Sequence, residues 1–376
     1  MRLAAAAPAL ALLAAPAWGA TVTRLPYGVT KAGQPVEQAT LTNDRGMIVR
    51  IISYGAIVTD IVVPDAKGRA ANVALGFGSL ADYEARNDDY AFGAVMGRYA
   101  GRIANARFTL DGREVRLVAN DGANALHGGP GGLFTRVWAM TTFRRGHTVG
   151  AVLRYASPDG EQGFPGRLDL KVTYTLSPGD ALRIDYEARS DRPTVLNLTN
   201  HSYFNLAGAG SGTVLGHRLQ LASDRLLETD QGGIPSGRFL PVAGTPFDFR
   251  RPRAMGELID VPHPQMLGRR GYNHSWILSF DGRLHLAARL SDPVSGRALE
   301  VLTTEPSLVV YTGNWFSGRD KGAQGEVYRP HDGVALEAQH LPDSPNRPEF
   351  PSTRLAPGMA WRSTTVYRFT VHRAPR

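Results

Sequence analysis

The sequence predicts an all-β protein, a large antiparallel β-sandwich. Short runs rich in Val, Ile, Tyr and Thr recur at close spacing, as half-buried strands require. Asp-Gly pairs sit between such runs as hairpin turns. The 42 glycines and 25 prolines are scattered singly rather than pooled into a linker, and no repeat of fixed period is present. Many strands with little helical patterning build sandwiches.

In chain order, Met1–Ala20 carries one charge at Arg2, an apolar run from Leu3 to Ala15 and small residues at Ala17, Gly19 and Ala20. That is the pattern of a secretory signal peptide, and it predicts a periplasmic or secreted protein. The run is too short to span a bilayer, and no later segment approaches the roughly 20 apolar residues a transmembrane helix needs. Residues 21–376 are expected to form a single domain. Met47 to Val63 reads as two strands broken at Tyr54-Gly55. Phe108–Val115 reads as a hairpin on Asp111-Gly112, and Ser279–His285 repeats the device on Asp281-Gly282. Further strands are predicted over 148–155, 168–176, 182–188, 194–198, 215–221, 298–303, 308–311 and 364–371. Only Leu80–Arg86 reads as a helix.

Composition excludes several chemistries. With no cysteine there is no disulfide, thiolate metal site or cysteine nucleophile. The net charge of +8 comes from dispersed arginines with only four lysines. It forms no stripe of the kind nucleic acid selects, so no nucleic-acid partner is expected. His127, His201, His274 and His340 lack short ligand spacings such as HxH or HExxH, so no metal is expected. A P-loop, a dinucleotide glycine motif and a GxSxG elbow are absent.

Polar clusters gather where strands end. Gly333–Pro351, GVALEAQHLPDSPNRPEFP, ends an alternating strand in Glu337, and its four prolines forbid regular structure afterwards. Glu337 reads either as a solvated strand-end carboxylate or as one whose apolar neighbours raise its pKa. Arg98 and Arg102 stand four apart, able to fork onto hydroxyls or carboxylates or to form structural ion pairs. His127 precedes Gly128-Gly129, where backbone can approach a ligand. His201 lies in the polar-aromatic run Asn197–Asn205. Gly271–His274 and Tyr311–Trp315 add Tyr, Asn and Trp, which suit a polyhydroxylated ligand.

Taken together, these clusters resemble the aldose 1-epimerases, the galactose mutarotase family. The likeness runs from about Gly28 to Val371 and rests on GMIVRIISYGA, VPDAKGRAANVALGF, GRYAGRIANARFTLDG, LHGG, TNHSYFNLAG, GTPFDF, VYTGNW and LEAQHLPDSPNRPEFPS, in family order. It implies a β-supersandwich, no cofactor, and a monomer or weak dimer that interconverts the α and β anomers of a free aldose. It further implies that Glu337 is the general base and His201 the general acid, while Arg102 and His127 hold the sugar. Three positions of the sugar shell depart from the family's pattern: Gly101 replaces Asn, Asn273 replaces Asp and Val309 replaces Gln. These predict either a preferred sugar differing from galactose or glucose in its hydroxyl pattern, such as a pentose or deoxy sugar, or weak binding of those two. A carbohydrate-binding sandwich would not need the His201 and Glu337 pair. A hydrolase or lyase on the same fold would usually need a second carboxylate, which the motifs do not supply.

Overall fold

The computed structural model describes residues 19–372. The predicted leader, residues 1–20, therefore lies outside the described residues except for its last two positions. Among the described residues no helix is long and apolar enough to cross a membrane.

Three antiparallel sheets dominate. A five-stranded sheet runs in chain order from Thr21–Val29 to Ala70–Asn72. A nine-stranded sheet has Leu168–Leu176, Ala181–Ser190, Trp361–Val371 and Arg297–Thr303 as consecutive neighbours. The third sheet, of six strands, carries the site. Its order is Tyr203–Phe204, Val334–Gln339, Ser307–Tyr311, Asn273–Ile277, Arg225–Thr229 and Pro235–Pro241.

Alternation along the strands explains the layering. In Leu168–Leu176 every second residue of LDLKVTYTL, starting with Leu168, is buried, so one face of the nine-stranded sheet is apolar. That face meets the six-stranded sheet, where Phe204 packs edge-on against Tyr367 with centroids 5.1 Å apart. Val334, Leu336 and Ala338 belong to the same core. On the opposite face, Ala335 joins a second cluster with Phe92, Tyr203 and Phe316. All six residues of Val334–Gln339 are buried, so this strand is covered on both faces rather than half-buried as its alternation suggested.

Most predicted strands appear with small changes of boundary. The Asp111-Gly112 hairpin forms, joining Arg107–Leu110 to Arg113–Arg116. Asp281-Gly282 does not join a hairpin. Asn273–Ile277 before it lies in the six-stranded sheet and His285–Ser291 after it in the nine-stranded one. Asp281 still organises the turn by accepting from the Arg283 N–H and contacting His285, so the turn signal is local and the pairing is not. The helix runs Leu80–Tyr90, longer than predicted, and Ser79 caps it by accepting from the Asp82 N–H at 3.2 Å.

Candidate active site

A cleft of about 240 Å³ opens over the six-stranded sheet, on the face opposite the core. Strand register sets its floor. Ser275, Val309 and Glu337 lie directly opposite one another on three adjacent strands. Asn273, Tyr311, Ala335 and Tyr203 form the next row on the same face. Gln339, two residues beyond Glu337, also lines the cleft.

The walls come from loops that approach only because their backbone permits it. His127, Gly128 and Gly129 all have positive φ, at 53°, 89° and 89°. A Cβ on Gly128 would lie 2.0 Å from the Gly97 carbonyl oxygen, so only glycine fits there. This turn carries the His127 imidazole to 5.3 Å from that of His201, centroid to centroid. Strands Arg102–Ile103 and Ala125–Leu126 pair beside it. Arg102 is held by Asp121, its Nε donating to Oδ2 at 2.7 Å.

Asn197 ties these segments together. Fully buried, it donates from Nδ2 to the Ala100 and His340 carbonyls at 2.9 and 3.1 Å. Its Oδ1 accepts from the His340 N–H at 2.9 Å. Its main chain bonds the Arg98 carbonyl and the Ala100 N–H. One side chain thus fixes the segments leading to Arg102 and His201 against the strand carrying Glu337.

At the centre, His201 Nε2 lies 3.4 Å from Glu337 Oε1, both side chains 5 % exposed. Burial pushes the Glu337 carboxyl up to about 8, with the Arg102 charge opposing. Burial lowers His201 to about 4. His127 is held well below the ordinary histidine value by burial, then by the charges of His201 and Arg102. The free site therefore disfavours charge at neutral pH, and the Glu337–His201 pair holds one proton between them.

His127, His201 and Glu337 bring potential ligand atoms within 4.8 Å of one another, a convergence that sequence spacing did not reveal. The Gly101 N–H donates to His127 Nδ1 at 3.3 Å. A neutral His127 then carries its proton on Nε2 and presents a donor to the cleft rather than a lone pair for a metal.

Every residue singled out from sequence for the site lines this cleft: Gly101, Arg102, His127, His201, Asn273, Val309 and Glu337. Other candidates separate. Arg98, four residues from Arg102, is buried and donates to Ser157 Oγ and to the Ser157, Pro158 and Pro165 carbonyls, so its role is structural. His340 pairs with Glu305 at 2.6 Å and is not among the cleft residues. Sequence reasoning missed Ser275, Gln339, Arg269 and Asn197. A period of two from Asn273 and from Glu337 points to the first two. Nothing local marks Arg269, and Asn197 stands out only as the start of the polar-aromatic run around His201.

The chain matches the aldose 1-epimerase family model over residues 37–368. It is 42 % identical over 352 residues to the galactose mutarotase of Rattus norvegicus, covering 93 % of this chain and 99 % of the relative. It is 39 % identical over 344 residues to the aldose 1-epimerase of Escherichia coli K12, covering 90 % and 96 %. Among solved structures, the galactose 1-epimerase of Lactobacillus acidophilus NCFM superposes with a TM-score of 0.83 at 30 % identity, covering 94 % of this chain and 99 % of that one. Sequence, fold and cleft agree: the chain belongs to the aldose 1-epimerase family.

Proposed function

We propose that this chain interconverts the α and β anomers of a free aldose, with Glu337 as general base and His201 as general acid. The observation that carries the reading is the buried pair itself, two titratable groups 3.4 Å apart on the floor of a cleft rich in hydrogen-bonding side chains. Ring opening needs one group to take the proton of the anomeric hydroxyl and another to give a proton to the ring oxygen. Rotation about C1–C2 and reclosure run the transfers backwards. The pair's single proton is the count this cycle needs. When sugar hydroxyls and the Arg102 charge surround the carboxyl, its ionised form is favoured and the proton moves toward His201. Arg102 and the His127 Nε2–H then hold sugar oxygens and stabilise charge as the ring opens.

The sugar preference follows from the floor. Val309, beside Glu337, offers no hydrogen bond, so a hydroxyl buried against it costs about 1 to 3 kcal/mol. A Cβ on Gly101 would lie 3.2 Å from Gln339 Nε2, so Gln339 already occupies the space a side chain there would take. The apolar Val309 favours a ligand whose substituent pattern differs from that of galactose or glucose. Polarimetry of freshly dissolved α-aldoses tests the activity, and no acceleration with any aldose would refute it.

Export to the periplasm is a separate part of this reading, supported by the apolar run and small residues of Met1–Ala20. Mass spectrometry of the native protein tests it, and an intact Met1 in a cytoplasmic fraction would overturn it.

A further inference from the structure

Arg269 is the cleft's one cation with no carboxylate partner among the described residues. Arg102 is paired with Asp121, whereas the Arg269 guanidinium donates only to neutral oxygens, Thr229 Oγ1 at 2.8 Å and the Asp230 carbonyl at 2.5 Å. Its place is fixed from behind, where Asn314 Nδ2 donates to the Arg269 carbonyl at 2.8 Å. It lines the cleft and is partly buried. Burial and then the neighbouring Arg102 charge act against its own charge, and the exposed Asp230 carboxylate, which forms no ion pair with it, offsets them only in part. An unpaired, partly desolvated guanidinium is costly unless an anion completes it.

Nothing on the cleft floor supplies that anion. Asn273, Ser275 and Val309 are uncharged, and Glu337 holds its proton at neutral pH. Asp88 and Asp89 also line the cleft, but they are exposed at the end of the helix. That helix packs in the cluster containing Tyr203, at one edge of the sheet. Arg269 bonds Thr229, whose strand lies beyond those of Glu337, Val309 and Asn273 from that edge. Asp88 and Asp89 therefore lie across the width of the cleft from Arg269, and the nearby Asp230 is exposed and makes no ion pair with it.

We propose that the preferred substrate is an aldose bearing a carboxylate, a hexuronic acid, whose acid group is taken by Arg269. This rests on the anomerisation reading. With the anomeric carbon at Glu337 and His201, Arg269 meets the far end of the ring, where a uronic acid carries its carboxylate. A guanidinium engages a carboxylate by two parallel N–H bonds. One arginine and a cavity of about 240 Å³ suit a carboxylate on a monosaccharide better than a bulkier, doubly charged phosphate.

The test is polarimetric kcat/KM for galacturonate and glucuronate against galactose, xylose, fucose and glucose 6-phosphate. The uronates are expected to exceed the neutral sugars by about ten- to a hundredfold. Raising ionic strength from about 0.01 to about 1 M, which shortens the Debye length from about 30 to about 3 Å, should lower the uronate values selectively. In Arg269→Gln the ratio of galacturonate to galactose should fall by at least about tenfold, with Arg269→Lys restoring part of it. Turnover of neutral sugars at or above the uronates overturns this proposal and leaves anomerisation standing. Preference for the phosphate also overturns it. No anomerisation of any sugar overturns both readings.

Discussion

Val309 faces Glu337 directly across two antiparallel strands, so the carboxyl's neighbour on the cleft floor is a pair of methyl groups rather than a hydrogen-bond donor. An apolar neighbour at this position is in keeping with the raised pKa of Glu337, whose largest cause is burial.

Activity should peak while the Glu337–His201 pair holds one proton. A bell-shaped kcat/KM profile is expected, with limbs near 4 and 8. Val309→Gln places an amide donor beside the carboxylate and should move the alkaline limb toward lower pH. A limb that stays where it was would separate the titration from Glu337.

Glu337→Gln and His201→Ala are each expected to lower kcat by roughly 10²- to 10⁴-fold while the protein stays folded. Glu337→Gln should also change the pH dependence of stability. The native carboxyl is raised from 4.5 to about 8, so its favourable contribution is complete below pH 4.5 and is lost as pH rises through 8. The amide escapes that loss, and the variant should gain stability relative to the parent across this interval. Thermal melts at pH 5 and 9 check the sign; equal differences at both would contradict it.

In acid, neutral buried histidines should govern unfolding. Burial holds His201 and His217 near 4 and His274 near 3. For a depressed histidine the stabilisation is complete above 6.5 and is lost as pH falls through the folded value. Denaturant midpoints should therefore drop between pH 6.5 and 4, and a flat response would refute the assignment.

Asn197→Asp keeps the shape of the side chain but puts carboxylate oxygen against the Ala100 and His340 carbonyls. Misplacing catalytic groups by about 1 Å can cost about 100-fold, so kcat should fall by about 10- to 100-fold. A purely structural role would lower the melting temperature and leave kcat intact in the folded fraction.

Much of the site was legible because family-like motifs end the strands that carry it. Glu337, His201, His127 and Arg102 could each be named from their local runs. What the runs hide is direction and partnership. Arg98 and Arg102 look alike in sequence, yet one is buried among carbonyls and the other reaches the cleft, because the Gly128 turn and the Asp121 carboxylate are supplied from about 20 residues further along. Arg269 sits in an Arg-Arg pair with no local mark of function. Its significance comes from forming no ion pair among the described residues, which only tertiary structure reveals. The Asp281-Gly282 turn shows the same limit for fold, since turn chemistry specifies reversal but not which sheet receives the next strand.

The Val334–Gln339 strand buries Leu336 on one side and Glu337 on the other. Every residue of this strand is buried even beneath the cleft, and strands flank it on either side, so its amide protons should exchange with deuterium chiefly through large-scale opening. The base consequently cannot melt out while the scaffold persists. Loss of turnover and loss of the fold should coincide along a urea titration, and this protein should pass through no inactive but compact stage.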